Sequence, residues 1–327
     1  MKKLVTRLLL MASLTFSTGG IWLGAQNITH YTAIESELKG VKDRPFFYRP
    51  VAMVLNGQEL YLLESGDNRI RVFSLEGTQL REIGRKGNGP GEFDSPSCLD
   101  VNHGQIYVAD SFNNRIQIVN KEGKNLAVFK VPAFPENIVS LSGGALVVSF
   151  PVRNLDGPEK LLYGYKTDGT RLWAILDSQA SGDRVYDSFC NQIFLKKGEA
   201  DTFYVIWRYN NRYIFKIDSR GQIIKKIKIS ADYPVKTINL PRKEKRVLEG
   251  VCWNVDVSNH NFYLISMEEM ADKDVGPGKR VMILNEEGNI TGTIDFPLVI
   301  KKLAVTGDQI FTLDTEDELH LFKLNSK

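Results

Sequence analysis

The side chains most suggestive of chemistry form an acid–amide–guanidinium set that occurs twice. Asp110, Asn113 and Arg115 make one copy; Glu64, Asn68 and Arg69 make the other, about 46 residues earlier. Either copy alone reads as a site. Recurrence in consecutive units argues the other way, because Asp and Asn side chains that repeat in this manner satisfy loop backbone and pack one unit on the next. Metal chemistry of the zinc type needs several His converging on one ion, and the chain holds four: His30, His103, His260 and His320. There is no nucleophile elbow, no phosphate loop and no Cys–His pair with useful local context, so no catalytic residue is assigned. The three cysteines, Cys98, Cys190 and Cys252, are odd in number and widely spaced, which is not the pattern of a disulfide framework. Cys98 aligns with Ala52 one unit earlier, as a small buried residue would; a single Cys190–Cys252 bridge stays open.

The elements that must position these groups follow from the repeat itself. Residues 59–77 and 105–123 are two copies of one supersecondary unit. Each unit has a short apolar strand, a tight turn, an alternating strand, a loop, a third strand, a Gly turn and a fourth strand. Alternation punctuated by turns at this spacing specifies antiparallel β-structure, and no long helical period follows the N-terminus. The Gly turns mark the units: Glu76-Gly77, Glu122-Gly123, Asp168-Gly169, Arg220-Gly221 and Glu287-Gly288. Gly suits these positions because a hairpin turn needs positive φ. A sixth unit, 299–325, supplies three strands only. An alternating segment at 27–35 is the natural source of its fourth. The expected fold is therefore all-β, a six-bladed β-propeller closed by the N-terminal strand in the last blade. The blades are expected at 46–83, 94–131, 136–176, 187–230, 249–295 and 299–325, in one domain over 26–327.

The stretch Gly84-Arg85-Lys86-Gly87-Asn88-Gly89-Pro90-Gly91-Glu92-Phe93, followed by Ile106-Tyr107-Val108-Ala109-Asp110-Ser111 and Asn113-Asn114-Arg115-Ile116, resembles the NHL repeat. The resemblance spans about residues 46 to 130. Later blades keep the turns and lose the Asp-Ser-x-Asn-Asn-Arg element. It implies a propeller of the NHL type, a build that serves both binding platforms and lyases. Peptidyl-hydroxyglycine lyases share it, but His103 and His260 fall in short turns on one face, and His30 and His320 on outer strands of the closing blade, so no three meet at the axis. Propeller lactonases hold a divalent ion with Glu, Asn and Asp at inner-strand ends; Asn137, Asp187 and Asn254 would be the corresponding donors.

In such blades the first and third turns share one face, and the second and fourth connections share the other. Every long insertion falls on the second face: 84–97, 153–159, 177–188, 231–249 and 268–280. Insertions gathered on one face mark the functional face of a repeat fold. The expected ligand-contacting residues there are Arg49, Asp94, Asn137, Arg153, Tyr186, Asp187, Trp207, Arg208 and Lys301. The resulting expectation is a binding or scaffold propeller for a protein, peptide or glycan, with no cofactor. The alternative is a metal-dependent hydrolase or lactonase using a divalent cation.

Residues 1–25 have the basic start, apolar run and small-residue end of a signal peptide, with no lipobox cysteine. Export to the periplasm or medium is the expectation, with an uncleaved N-terminal anchor as the other outcome. Without Lys2, Lys3 and Arg7 the basic count falls from 42 to 39, equal to the 39 acidic residues. That balance argues against a nucleic-acid partner; Lys243, Lys245 and Arg246 read as a solvated loop. A monomer without membrane insertion after cleavage is expected.

Overall fold

The computed structural model describes residues 28–38, 47–151, 159–240, 246–270 and 274–326; the expected signal peptide lies outside them, and so does Arg153. The regular structure of the described residues is almost wholly β. Blade 1 comprises Pro50–Asn56, Glu59–Glu64, Arg69–Ser74 and Gln79–Ile83 in antiparallel order. Blade 2 comprises Cys98–Asn102, Gln105–Asp110, Arg115–Asn120 and Asn125–Lys130. Blade 3 comprises Asn137–Ser140, Leu146–Ser149, Lys160–Tyr165 and Arg171–Asp177, and blade 4 Ile193–Lys197, Thr202–Trp207, Tyr213–Asp218 and Ile223–Lys228. Blade 5 comprises Val255–Ser258, Asn261–Glu269, Val275–Leu284 and Ile290–Asp295. Blade 6 takes Ile300–Thr306, Gln309–Asp314 and Leu319–Ser326 from the C-terminal end and Thr29–Ser36 from the N-terminal end.

Period-2 alternation builds the ring. In the second strand of blade 1, Leu60 and Leu62 face blade 6, while Tyr61 and Leu63 face blade 2. Ile106 and Val108 in blade 2 face blade 1, and Tyr107 and Ala109 face blade 3. Successive Cβ atoms on a strand point to opposite sides, so each blade contributes to two cores. Six such cores run around the ring, each shared by two neighbouring blades. The six inner strands touch in cyclic order around the axis.

Closure follows the expected route. Thr29–Ser36 pairs antiparallel with Leu319–Ser326. It also pairs in parallel with the outer strand of blade 5, Thr29 opposite Gly292, which joins blades 5 and 6 into one eight-stranded sheet. Gly292 permits this approach: a Cβ there would stand 2.9 Å from the Thr29 carbonyl oxygen. His320 fastens the closing strand, its Nδ1 2.7 Å from Glu35 and its Nε2 3.0 Å from Asp314. The five marker glycines all adopt positive φ, between 80° and 90°, and each N–H closes its turn on the carbonyl three residues back.

Two insertions on the long-loop face carry structure of their own. A seven-residue helix, Arg184–Cys190, lies between blades 3 and 4, capped by Asp183, whose carboxylate accepts from the Val185 and Tyr186 N–H groups. A hairpin of Lys236–Asn239 and Val247–Gly250 lies between blades 4 and 5. Cys190, Tyr209, Leu248 and Met267 pack together beneath them. The inner strand of blade 4 therefore begins at Ile193, beyond the expected 187, because the helix takes the preceding residues. All three cysteines are free thiols.

Candidate functional site

The inner strands enclose an axial channel. Its lower part, about 290 Å³, is lined by all six of them, from Val51 and Cys98 round to Asn254 and Lys302. Charged side chains stitch this wall together. Asp100 accepts from the Ser140 N–H and hydroxyl at 2.7 and 2.6 Å and pairs with Lys197 at 3.0 Å, so blades 2, 3 and 4 are tied. Asp256 pairs with Lys196 at 3.0 Å and accepts the Val305 N–H at 2.9 Å, tying blades 4, 5 and 6. A charge withdrawn from water must be paired and hydrogen-bonded; Asp100 is buried and the other three half-buried, and all four are paired.

On the long-loop face the channel opens into a mouth of about 550 Å³, lined from blades 1, 2, 3, 4 and 6. Val51, Ser97, Asn137, Phe194 and Lys302 line both spaces and so form the neck between them. Asn137 is held there by Ser149 Oγ at 3.0 Å and by the Ile193 carbonyl at 3.2 Å. Lys302 is half-buried there, facing both spaces. Burial, with the nearby charges of Lys196, Arg208 and Lys301, pushes its ammonium down to about 8. Above it, Arg208 stacks over Trp253 at 4.0 Å and Tyr209 at 5.6 Å. Its Nη1 stands 3.5 Å from Gln192 Oε1, and its buried Nε has no hydrogen-bond partner. Phe112 and Phe134 form a tilted pair at 5.7 Å on the rim, 63% and 44% exposed. Arg49, exposed at positive φ, completes that side.

The sequence-derived residues separate into groups. Arg49, Asn137 and Arg208 come together at the mouth. Lys301 does not: it pairs with Asp317, and Lys302 takes the axial position instead. Trp207 packs against Phe215 at 4.9 Å in the core shared by blades 3 and 4. Asp94 sits in the loop before blade 2, its N–H bound by Asp110 at 2.7 Å. Tyr186 and Asp187 belong to the helix; Arg246 lies over the Tyr186 ring at 4.9 Å, and Asp187 accepts the Ser181 N–H at 2.8 Å. Of the oxygen donors for a divalent ion, Asn137 and Asn254 line the channel while Asp187 lines neither space. Nothing in the sequence spacing points to Phe112, Phe134, Gln192, Trp253 or Lys302.

The repeated acid–amide–guanidinium set is a buckle. Asp110 Oδ2 accepts from Asn113, Arg115 and Gln117 at 2.9, 2.7 and 3.0 Å. Arg115 then donates to the carbonyls of Asn88, Gly89 and Glu92, fixing the loop over 84–97. In blade 1, Glu64 accepts the Tyr48 N–H at 2.9 Å and pairs with Arg69 and Arg71. The histidines stay apart: His260 pairs with Glu199 at 3.1 Å on the short-turn face, and His30 meets Thr293. Asp314, Glu318 and His320 lie near one another, but both His320 ring nitrogens already serve the closing latch.

Solved structures share the architecture at low identity. A Bacteroides fragilis protein described as exported superposes with a TM-score of 0.59 at 12% identity, over 93% of this chain and 96% of its own. Virginiamycin B lyase from Staphylococcus aureus gives 0.52 at 12%, over 90% and 100%. A Xanthomonas campestris gluconolactonase gives 0.55 at 14%, over 86% and 88%. At these identities the likeness is one of fold alone. Among curated proteins no relative matches the sequence. A family described as a 6-bladed beta-propeller matches residues 50–270, well over half of the chain, and with six cores closed in a ring this protein belongs to that DUF5128 family.

Proposed function

We propose that the chain is an exported binding propeller of NHL type that takes a protein, peptide or glycan ligand at the axial mouth of its long-loop face. The observation that carries this reading is the mouth itself. It is a 550 Å³ concavity lined by five blades, with aromatic rings on the rim and polar groups at the neck, the composition of a ligand pocket. A helix and a hairpin stand on the same face, whereas the opposite face carries short turns. The apolar-run N-terminus supports export. Binding of this kind needs no cofactor and no second copy, and the balanced charge favours a partner other than nucleic acid. The hydrolase or lactonase alternative would need a third oxygen donor beside Asn137 and Asn254, and Asp187 is committed to the helix loop.

The test is capture from the envelope fraction of the native organism with the full chain, in parallel with an Arg49→Glu/Arg208→Glu variant and a control substituted at Lys225 on an outer strand. The reading expects a ligand held by the parent and the control and lost by the double variant. Equal capture by all three would place binding elsewhere and overturn it.

A further inference from the structure

Resting on the mouth as the binding site, the charge balance there specifies the ligand more closely. The lining holds three cations, Arg49, Arg208 and Lys302, and one acid, Glu136, which is engaged in an interaction of its own. Among the described residues none of the three cations has a carboxylate partner, whereas the neighbouring lysines do: Lys196 with Asp256, Lys197 with Asp100, and Lys301 with Asp317. The stitching of the channel thus uses its carboxylates elsewhere and leaves positive charge at the neck. Arg208 is pre-set for an anion. Its guanidinium carbon is held 4.0 Å over the Trp253 ring, and its buried Nε is an orphan donor. A buried donor without a partner is costly, and a carboxylate accepts from a guanidinium in the geometry it presents. The Lys302 ammonium, disfavoured by burial and by the cations around it, would be stabilised beside an anion. Across the same cavity stand the exposed rings of Phe112 and Phe134. They are too exposed to serve the core and sit where an apolar group next to the anion would lie.

We propose that the mouth binds an organic carboxylate flanked by an aromatic or aliphatic group, as at the C-terminus of a peptide. Arg208 and Lys302 take the carboxylate, Arg49 adds to the field, and Phe112 with Phe134 takes the apolar group.

Calorimetric titration of the full chain at pH 7 with four probes tests this: N-acetylphenylalanine, its neutral amide, N-acetylglycine and glucuronate. The acid should bind at least about tenfold more tightly than its amide, since a charge-assisted pair is worth ~1.5 kcal/mol or more. Lys302→Met and Arg208→Gln, each checked for native circular dichroism, should remove that difference. Phe112→Ala/Phe134→Ala should bring N-acetylphenylalanine down to the level of N-acetylglycine. Equal binding of acid and amide would overturn the carboxylate assignment while leaving the mouth as a binding site. Glucuronate bound as tightly as N-acetylphenylalanine, and unaffected by loss of both Phe rings, would overturn the apolar half. If no probe binds, the carboxylate assignment falls, and the capture experiment still decides the broader reading independently.

Discussion

Replacing Lys302 by Met should stabilise the protein, by an amount that depends on pH. The folded chain holds this ammonium at about 8 against an ordinary value of 10.5, first because burial strips its water, and then because Lys196, Arg208 and Lys301 repel it; the Cys98 side opposes them. A displacement of that size corresponds to ~3 kcal/mol. Water in the channel screens part of it, so roughly 2 kcal/mol is the working figure. The native state binds fewer protons than the unfolded chain between about pH 8 and 10.5. Its stability therefore rises with pH across that window, and below pH 8 the full penalty applies. Met keeps the length of the side chain and removes the charge. At pH 7 the variant should gain roughly 2 kcal/mol, a rise in melting temperature of about 3 °C, and the gain should shrink toward zero by about pH 10. Urea titrations of both proteins at pH 7, 8, 9 and 10 measure it. A variant less stable at pH 7, or a gain that does not change with pH, would refute the reasoning. The gain should come with lost carboxylate binding, the usual exchange of stability for function at a site.

Other predictions concern the parts that hold the mouth in place. Asp110→Ala strands buried Arg115 and should cost about 3–5 kcal/mol, read as a lower urea midpoint with faster proteolysis within 84–97. Glu59 is held down to about 2, chiefly by its hydrogen bonds from Arg81. Its stabilisation is thus complete above about pH 4.5 and fades as pH falls through 2, so Glu59→Gln should cost about 1–2 kcal/mol at pH 7 and about a quarter of that at pH 2.5. His320→Ala should release the closing strand, costing about 2–3 kcal/mol and raising amide exchange in Thr29–Ser36 ahead of every other strand.

Much of this architecture is legible in the chain because local rules repeat. Gly77, Gly123, Gly169, Gly221 and Gly288 each answer the same positive-φ requirement, so counting them counts the first five blades. The alternating segment near Ile34 fits only a sheet edge that needs it. The Asp110–Arg115 set, read as structural because it recurs, is the buckle it was expected to be. The site is less legible, and Lys302 shows why. Strict alternation places Lys301 at the axis, but a bulge between Ile300 and Lys302 adds one residue, and a one-residue slip turns each side chain to the other side. The helix at Arg184–Cys190 is too short to show a period; its trace in the sequence is Asp183, an N-cap residue just after Gly182. Phe112 lies within the conspicuous Asp-Ser-x-Asn-Asn-Arg element, whose polar residues draw attention from the one ring that leaves the core. Gln192 at the mouth and Trp253 against Arg208 come from long connections, where sequence spacing carries no geometric information.

The most direct test of the account is a crystal structure of the protein grown with N-acetylphenylalanine. The account predicts density for the probe in the mouth, its carboxylate against Arg208 and Lys302 and its ring against Phe112 and Phe134. Density on the short-turn face, or a mouth filled by solvent at saturating probe, would contradict it.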